Sequence, residues 1–328
     1  MTKTDAIEHL ARALRAEAQF AGEIRLREPM SRHTTMKVGG AADALIIPAD
    51  LASLRSVMAA AHRLGVPVMM LGGSNVIVRD NGIAGVVVKL SRLNHIRFLD
   101  GGRVSAEAGV LLPRLARAAA RMGLSGLEFA VGIPGTVGGS IVMNAGTREG
   151  ELAPLTESVT LMSTTGELQT LGREALRFRY RHADLPHGCV VAAQFALKAA
   201  PTTDIESTMA RMLGARSATQ PLHYPSAGCV FKNPPGDSAG RLIEAAGLKG
   251  CRLGHAQVSD RHANFIVNRG QARAGDVLSL IRHVGRRVEE QFGVTLELEV
   301  KIVGRAAPAP PRSEARRKRT KSAGALAS

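Results

Sequence analysis

The chain has 328 residues, 45% of them hydrophobic, which is enough for two domains with a sizeable core; with 3% aromatic residues and no tryptophan, aliphatic contacts must fill that core. No apolar run approaches the roughly 20 residues that span a bilayer. Three cysteines without paired spacing argue against a zinc site or a disulfide framework. We therefore expect a reduced cytoplasmic protein with no membrane span.

Part of the formal net charge of +15 lies at the C-terminal end of the chain. Residues 305–328 contain seven Lys or Arg and one Glu, are rich in Pro and Ala, and lack apolar periodicity. Such a segment predicts a disordered tail that contacts polyanions weakly and without sequence preference, which disfavours specific nucleic-acid binding. The positive charge that remains on the rest of the chain favours an anionic small ligand.

Apolar periodicity predicts both helices and strands in the first part of the chain. Helices are expected over 4–18 and 50–64, and an apolar strand over 66–71 runs directly into Gly72-Gly73-Ser74-Asn75. The other elements expected here are a strand that ends at Pro48, strands over 83–90 and 104–108, and a helix over 111–122. Because strands alternate with helices as far as residue 200, an α+β or α/β domain is predicted.

A linker-like segment at 200–205 predicts a domain boundary, and a smaller unit follows it. The elements expected in that unit are helices over 203–220, 238–246 and 274–291 and strands over 265–267 and 295–303. Along the last strand, alternation places Glu297 and Glu299 on the same face. The pattern alone therefore does not separate these two carboxylates.

Two glycine-rich loops lie in the first part, at 72–75 and 132–139. Neither matches the P-loop of triphosphatases or a clean G-x-G-x-x-G turn. Glycines without a Cβ still let successive N–H groups turn toward one anion. One such loop alone would be an ordinary turn, whereas two in the same half favour a cofactor diphosphate.

Eight segments in a fixed order resemble the UDP-N-acetylenolpyruvoylglucosamine reductase (MurB) family, flavoenzymes of peptidoglycan synthesis. They are HTTMKVGGAAD, LGGSNVIVRD, GLEFAVGIPGTVGGSIVMNAG, FRYRHADLP, PSAGCVFKNP, AGRLIEAAGLKG, HANFIVN and LELEVKIVG. They cover roughly residues 28–304, and the short C-terminal half is similar to the second structural type of the family.

The resemblance implies an α+β fold of several parts. A two-lobed FAD-binding region like that of vanillyl-alcohol oxidase (PCMH-like) would occupy 28–202, and a C-terminal α+β substrate-binding domain would occupy 203–304. A helical segment at 1–27 and the basic tail at 305–328 would flank them. The implied reaction uses NADPH and noncovalent FAD to convert the enolpyruvyl ether of a UDP-sugar, UDP-N-acetyl-3-O-(1-carboxyvinyl)glucosamine, to UDP-N-acetylmuramate.

Hydride addition to such an ether leaves carbanion character beside a carboxylate, which calls for a proton donor, a cation and a polarising group. The family's donor is a serine, and Cys229 occupies its position here. A thiol, with a reference pKa of about 8.5, is a far stronger acid than an aliphatic hydroxyl. A small buried residue is the other interpretation of Cys229. By resemblance, Arg181 would bind the carboxylate, with Arg179 as a rival, and Glu299 would be the catalytic glutamate.

The same resemblance assigns the remaining site residues. FAD would be bound by the two glycine-rich loops, through Gly72, Gly73, Ser74, Asn75, Gly132, Ile133, Gly138 and Gly139. Substrate would be bound by Tyr180, Lys232 and Asn233, with Arg241, Glu244, His262 and Asn264 as weaker candidates. The chain departs from the family pattern at Ala183 and at 147–149, where a tyrosine is missing.

Two other functions remain open at this point. One is an FAD-linked oxidase of the same fold group that acts on an alcohol or a sugar, which the FKNP run and the downstream glutamate disfavour. The other is a basic protein whose tail at 305–328 binds nucleic acid or an anionic membrane.

Overall fold

The computed structural model describes residues 3–72 and 74–306, so Gly73 and nearly all of the predicted basic tail lie outside the described residues. Its helices are α1 (Lys3–Ala16), α2 (Leu51–Arg63), α3 (Leu112–Arg121), α4 (Val137–Val142), α5 (Thr202–Thr219), α6 (Ala239–Ala245) and α7 (Ala274–Phe292). Each of these except the short α4, which begins inside the second glycine-rich loop, agrees within a few residues with a helix expected from the apolar spacing.

The first lobe is a mixed sheet with helices on one face. Its strands are β1 (Gly22–Pro29), β2 (Ala41–Pro48), β3 (Val68–Met70), β4 (Val76–Val78) and β5 (Ile83–Val88). The sheet order is β1-β2-β5-β3, with β1 antiparallel to β2 and the other pairs parallel. Apolar residues of α1 and α2 pack on this sheet, and Asp50 caps α2 by accepting a hydrogen bond from the Ser53 N–H.

The second lobe is built on an antiparallel sheet. Its strands are β6 (Ile96–Leu99), β7 (Arg103–Glu107), β8 (Leu124–Ser125), β9 (Gly146–Thr147), β10 (Gly150–Glu151), β11 (Thr156–Met162), β12 (Leu168–Gly172), β13 (Arg177–Arg179), β14 (His182–Asp184), β15 (Cys189–Ala196) and β16 (Lys198–Ala199). The main sheet has the order β12-β11-β15-β7-β6. No α-helix occurs between residues 143 and 201, all of which the structure describes, so the predicted alternation of strands and helices up to residue 200 is wrong for this part.

The third lobe packs α6 and α7 around a smaller sheet. Its strands are β17 (Ser226–Cys229), β18 (Arg252–Leu253), β19 (Ala256–Val258) and β20 (Phe265–Asn268), in the order β17-β20-β19-β18. The last strand, β21 (Lys301–Val303), returns to the first lobe and pairs in parallel with β4. The two lobes are also joined at Asp80, whose carboxylate accepts hydrogen bonds from the N–H groups of Ala274 and Gly275 at the start of α7.

The strand expected over 295–303 is regular only at β21. Upstream of it the chain is extended, and a single bridge joins Leu298 to Phe231. The helix α5 begins at the predicted domain boundary, and its buried residues Ile205 and Met209 pack in the core of the second lobe. The boundary itself stays a prediction.

Candidate active site

A cavity of about 1850 Å³ is lined by residues of all three lobes. Ligand sites usually measure about 300–1,000 Å³, so this cavity has room for a large cofactor and a second ligand together. Both glycine-rich loops open onto it. Residues of α5, of the segment after β17 and of the C-terminal segment 299–303, which includes β21, also line it.

The two glycine-rich loops lie against each other in the wall of the cavity. A Cβ placed on Gly72 would lie 3.6 Å from the Gly139 Cα, and one on Gly139 would lie 3.7 Å from the Gly72 Cα. Gly138 is needed for packing, because a Cβ there would lie 2.9 Å from the Cβ of Ala108. A cavity wall formed by backbone without side chains fits a bulky cofactor diphosphate.

The predicted FAD-binding residues within the described chain all line this cavity. They are Gly72, Ser74, Asn75, Gly132, Ile133, Gly138 and Gly139. Gly73 lies outside the described residues.

Cys229 reaches the cavity through a β-bulge. Ser226 pairs with Val267 and Cys229 with Phe265, so β17 has one more residue than its partner β20 over this stretch. The extra residue is accommodated by Gly228, whose φ of 77° lies in the left-handed region that glycine adopts without strain. The bulge changes the direction in which the next side chain points, and Cys229 lines the cavity.

The backbone that follows Cys229 pairs with the segment that contains both candidate glutamates. The Lys232 N–H donates to the Glu297 carbonyl at 2.8 Å, and the Glu299 N–H donates to the Val230 carbonyl at 2.9 Å. This pairing places Glu299 beside the thiol on the cavity side. Glu297 points outward and forms an ion pair with Lys232.

Arg181 forms an ion pair with Glu299 at the cavity wall. The Arg181 Nε and the Glu299 Oε1 lie 3.1 Å apart, although the N–H is not directed at the oxygen. Arg181 lies in the two-residue turn between β13 and β14 with a φ of 56°, an uncommon conformation for a residue with a side chain. The rival Arg179 pairs instead with Asp184 and does not line the cavity.

Burial and charge keep the thiol in its protonated form. The pKa of Cys229 is raised to about 12, mainly by burial and also by the nearby Glu299 carboxylate, against the opposing effect of Arg181 and Arg216. Burial also raises the pKa of Glu299, while Arg181 and Lys232 oppose this shift. The site therefore presents a neutral S–H group next to a buried carboxylate and guanidinium.

The predicted substrate-binding residues divide into two groups. Asn233 lines the cavity, and its Oδ1 accepts a hydrogen bond from the Ala239 N–H. Lys232 and the half-exposed Tyr180 are not among the lining residues, although Tyr180 stacks under the Arg181 guanidinium at 5.0 Å. The weaker candidates all line the cavity: Arg241, Glu244, His262 and Asn264.

Asn264 has a structural role that the sequence did not reveal. Its Oδ1 accepts from the Phe231 N–H at 3.0 Å, and its Nδ2 donates to the Phe231 carbonyl at 2.8 Å. The side chain is buried, and it holds the backbone two residues beyond Cys229. Sequence reasoning also missed Arg216 and Gln220, which line the cavity from the end of α5. Their helix has no residue pattern that marks them.

Comparisons with known proteins agree with this arrangement. Residues 42–172 match an FAD-binding domain, and residues 220–303 match the C-terminal domain of UDP-N-acetylenolpyruvoylglucosamine reductase. A UDP-N-acetylenolpyruvoylglucosamine reductase 2 of Symbiobacterium thermophilum is 47% identical over 92% of this chain and 99% of its own. The reductase of Geotalea uraniireducens is 46% identical over 88% and 97%. The crystal structure of the Thermus caldophilus enzyme (MurB) has a TM-score of 0.73 and 41% identity over 86% of this chain and 99% of its own.

The fold and the two glycine-rich loops in the cavity wall define an FAD-dependent oxidoreductase with a separate C-terminal domain. Relatives of 46–47% identity along almost their whole length then identify the family. The chain belongs to the UDP-N-acetylenolpyruvoylglucosamine reductases. The resemblance inferred from the eight motifs is confirmed, and so are the predicted fold class and cofactor. No helix of the described residues is long and apolar enough to cross a membrane.

Proposed function

We propose that this chain converts the enolpyruvyl ether of a UDP-sugar to UDP-N-acetylmuramate, and that Arg181, Cys229 and Glu299 act on the reacting group. Bound FAD supplies the electron pair, which it takes from NADPH. The observation that supports these roles is the contact of Glu299 with Arg181 on one side and its backbone pairing next to Cys229 on the other.

Arg181 is suited to bind the carboxylate of the enolpyruvyl group. Its guanidinium stays charged and can offer two parallel donors to a carboxylate. The ring of Tyr180 under the guanidinium limits its movement. The Arg181 Nε has no hydrogen-bond partner among the described residues, so a donor remains available for a ligand oxygen.

Cys229 is suited to donate the proton. With a pKa raised to about 12, the thiol keeps its proton at neutral pH until a stronger base forms beside it. The carbon next to the substrate carboxylate becomes such a base when it gains negative charge. The S–H bond then breaks, the proton bonds to carbon, and the sulfur keeps the electron pair as a thiolate, which water reprotonates. Glu299 would hold Arg181 in place, and in its protonated form, which burial favours, it would donate a hydrogen bond to the substrate carboxylate as negative charge builds up there.

Weaker substrate contacts would come from the third lobe. Asn233 and His262 line the cavity there. Lys232 would contact substrate only after leaving Glu297, because these two side chains are paired in this structure. Tyr180 would act through Arg181.

A visible spectrum of the purified protein tests the function. We expect a yellow protein whose absorption is bleached by NADPH without oxygen and restored by the enolpyruvyl UDP-sugar, with UDP-N-acetylmuramate formed in equal amount. A colourless protein that does not retain added FAD would contradict the proposal. An oxidase would instead consume oxygen with an alcohol or a sugar, which is the control reaction.

A further inference from the structure

The C-terminal end of α5 presents two polar side chains to the cavity, and neither has a side-chain partner among the described residues. Arg216 and Gln220 lie one turn apart, and the Gln220 N–H donates to the Arg216 carbonyl at 2.9 Å. Residues four apart on a helix share a face, and both line the cavity. Neither belongs to the catalytic set derived above.

Arg216 is a partly buried cation without an anion. Among the described residues its guanidinium has no hydrogen bond and no ion pair, and its one electrostatic neighbour is the Cys229 thiol, which is neutral at pH 7. Burial lowers the pKa of Arg216, which shows that the site disfavours an unpaired charge. Its side chain lies on the second glycine-rich loop, where its Cδ is 2.8 Å from the position of a Cβ on Gly132.

Gln220 supplies the complementary group. Its Oε1 is buried and accepts no hydrogen bond from any described residue. A buried acceptor without a donor costs about 1–3 kcal/mol, so a ligand with a hydrogen-bond donor, such as an N–H group, is expected to reach it. Together the two residues suit a ligand that carries a donor N–H next to an atom that bears negative charge.

A diphosphate or a carboxylate does not meet this requirement, because neither has an N–H group. A pyrimidinedione ring does. The flavin ring contains one, with an N–H between two carbonyl groups, and its neighbouring nitrogen takes up negative charge on two-electron reduction. The uracil of a UDP-sugar has the same N–H but stays neutral, so it gives no reason for an arginine.

We propose that Arg216 and Gln220 hold the pyrimidinedione edge of the flavin, Gln220 by accepting from its N–H and Arg216 by stabilising the negative charge of the reduced ring. This inference rests on the proposed function, because it assumes that FAD occupies the cavity. A side chain on α5, outside the glycine-rich loops, would then raise the reduction potential of the cofactor.

The test is the reduction potential of bound FAD in Arg216→Gln, Arg216→Lys and the wild type, measured anaerobically against a dye of known potential. We expect Arg216→Gln to lower the equilibrium constant for reduction about tenfold, which is about 30 mV for a two-electron couple. Arg216→Lys should restore part of the loss. The matched control is Arg261→Gln, which removes one exposed cation from the cavity lining of the third lobe and should leave the potential unchanged.

A second variant gives an independent measurement. Gln220→Leu should weaken FAD binding about fivefold, as the loss of one hydrogen bond does, and should change the potential less than Arg216→Gln does. If Arg216→Gln retains FAD at the wild-type potential, the inference is wrong. If it changes only the KM for the UDP-sugar, the inference is also wrong, and the two residues contact the UDP-sugar instead. If Arg216→Gln does not fold, an unchanged FAD affinity in Gln220→Leu overturns it. Failure of the wild type to be bleached by NADPH would instead contradict the proposed function.

Discussion

The Glu299 N–H donates to the carbonyl of Val230 at 2.9 Å, and this hydrogen bond decides which of two alternating carboxylates faces the thiol. It fixes the register between the segment after Cys229, residues 230–232, and the segment that contains both glutamates, residues 297–299. In that register the Glu299 carboxylate reaches Arg181, and the Glu297 carboxylate reaches Lys232 on the outer side.

Replacing Cys229 separates proton donation from cofactor reduction. In Cys229→Ala, NADPH should bleach the flavin at the wild-type rate, because the thiol has no part in that step. Reoxidation by the enolpyruvyl substrate should slow by about 10²–10⁴-fold, the usual contribution of a general acid. Stopped-flow spectroscopy measures both steps. Cys229→Ser should keep substantial activity, and normal reoxidation of Cys229→Ala would remove Cys229 from the acid role.

Glu299 and Glu297 form a matched pair for mutation. Glu299→Gln should reduce kcat by about 10²-fold or more, because it removes the buried carboxylate that contacts Arg181. Glu297→Gln breaks an ion pair on the exposed side and should change kcat by less than about threefold. Steady-state kinetics with NADPH and the UDP-sugar measure both. Equal losses in the two variants would contradict the assignment of Glu299.

The reactivity of Cys229 toward an alkylating reagent should follow its raised pKa. Only the thiolate reacts, and with a pKa of about 12 about one molecule in ten thousand is ionised at pH 8. Alkylation should therefore be slow at pH 7 and should accelerate about tenfold per pH unit up to pH 10. Mass spectrometry of the Cys229 peptide measures the rate, and the urea-unfolded protein, with an ordinary thiol pKa of about 8.5, is the reference.

The neighbours of Cys229 should shift this profile in opposite directions. Glu299→Gln should accelerate alkylation, because the Glu299 carboxylate raises the pKa of Cys229. Arg181→Gln should slow it, because the guanidinium lowers that pKa. A profile that does not differ among the three proteins would show that the thiol lies away from both side chains.

The buried amide of Asn264 should be important for stability. Asn264→Ala removes both hydrogen bonds to Phe231 and leaves a buried N–H and a buried carbonyl unsatisfied. We expect the free energy of unfolding to fall by about 2–4 kcal/mol, as measured by urea denaturation. Asn81→Ala, which changes an exposed amide, is the control and should alter stability by less than about 0.5 kcal/mol.

Removing residues 307–328 tests the role predicted for the basic tail. We expect unchanged turnover, because the described residues that line the cavity, which include all the proposed catalytic side chains, precede position 304. Retention on an immobilised polyanion should decrease, since the deleted segment is rich in Lys and Arg. A loss of turnover would contradict the prediction that the tail is outside the catalytic unit.

Much of the fold follows from local patterns in the sequence. The helical spacing of apolar residues predicted α2, α3 and α7 within about two residues, because a helix needs only neighbours along the chain to define its buried face. The alternation expected up to residue 200 failed in the second lobe. There, β11 pairs with β15 across more than 25 residues of chain, and such pairing leaves no local signal.

The sequence by itself determined the family and the cofactor, because eight short motifs in order are specific even when each is weak. It also predicted a set of site residues, which stays a prediction. The residue pattern left some side chains equivalent, and only the tertiary structure shows which of them line the cavity. Glu299 is distinguished from Glu297, and Arg181 from Arg179, by which of them reaches the cavity. The same holds for Arg216 and Gln220, whose lack of side-chain partners within residues 3–72 and 74–306 appears only when α5 is packed against the second glycine-rich loop. Burial and pairing depend on contacts between distant parts of the chain, and the residue pattern does not encode these contacts locally.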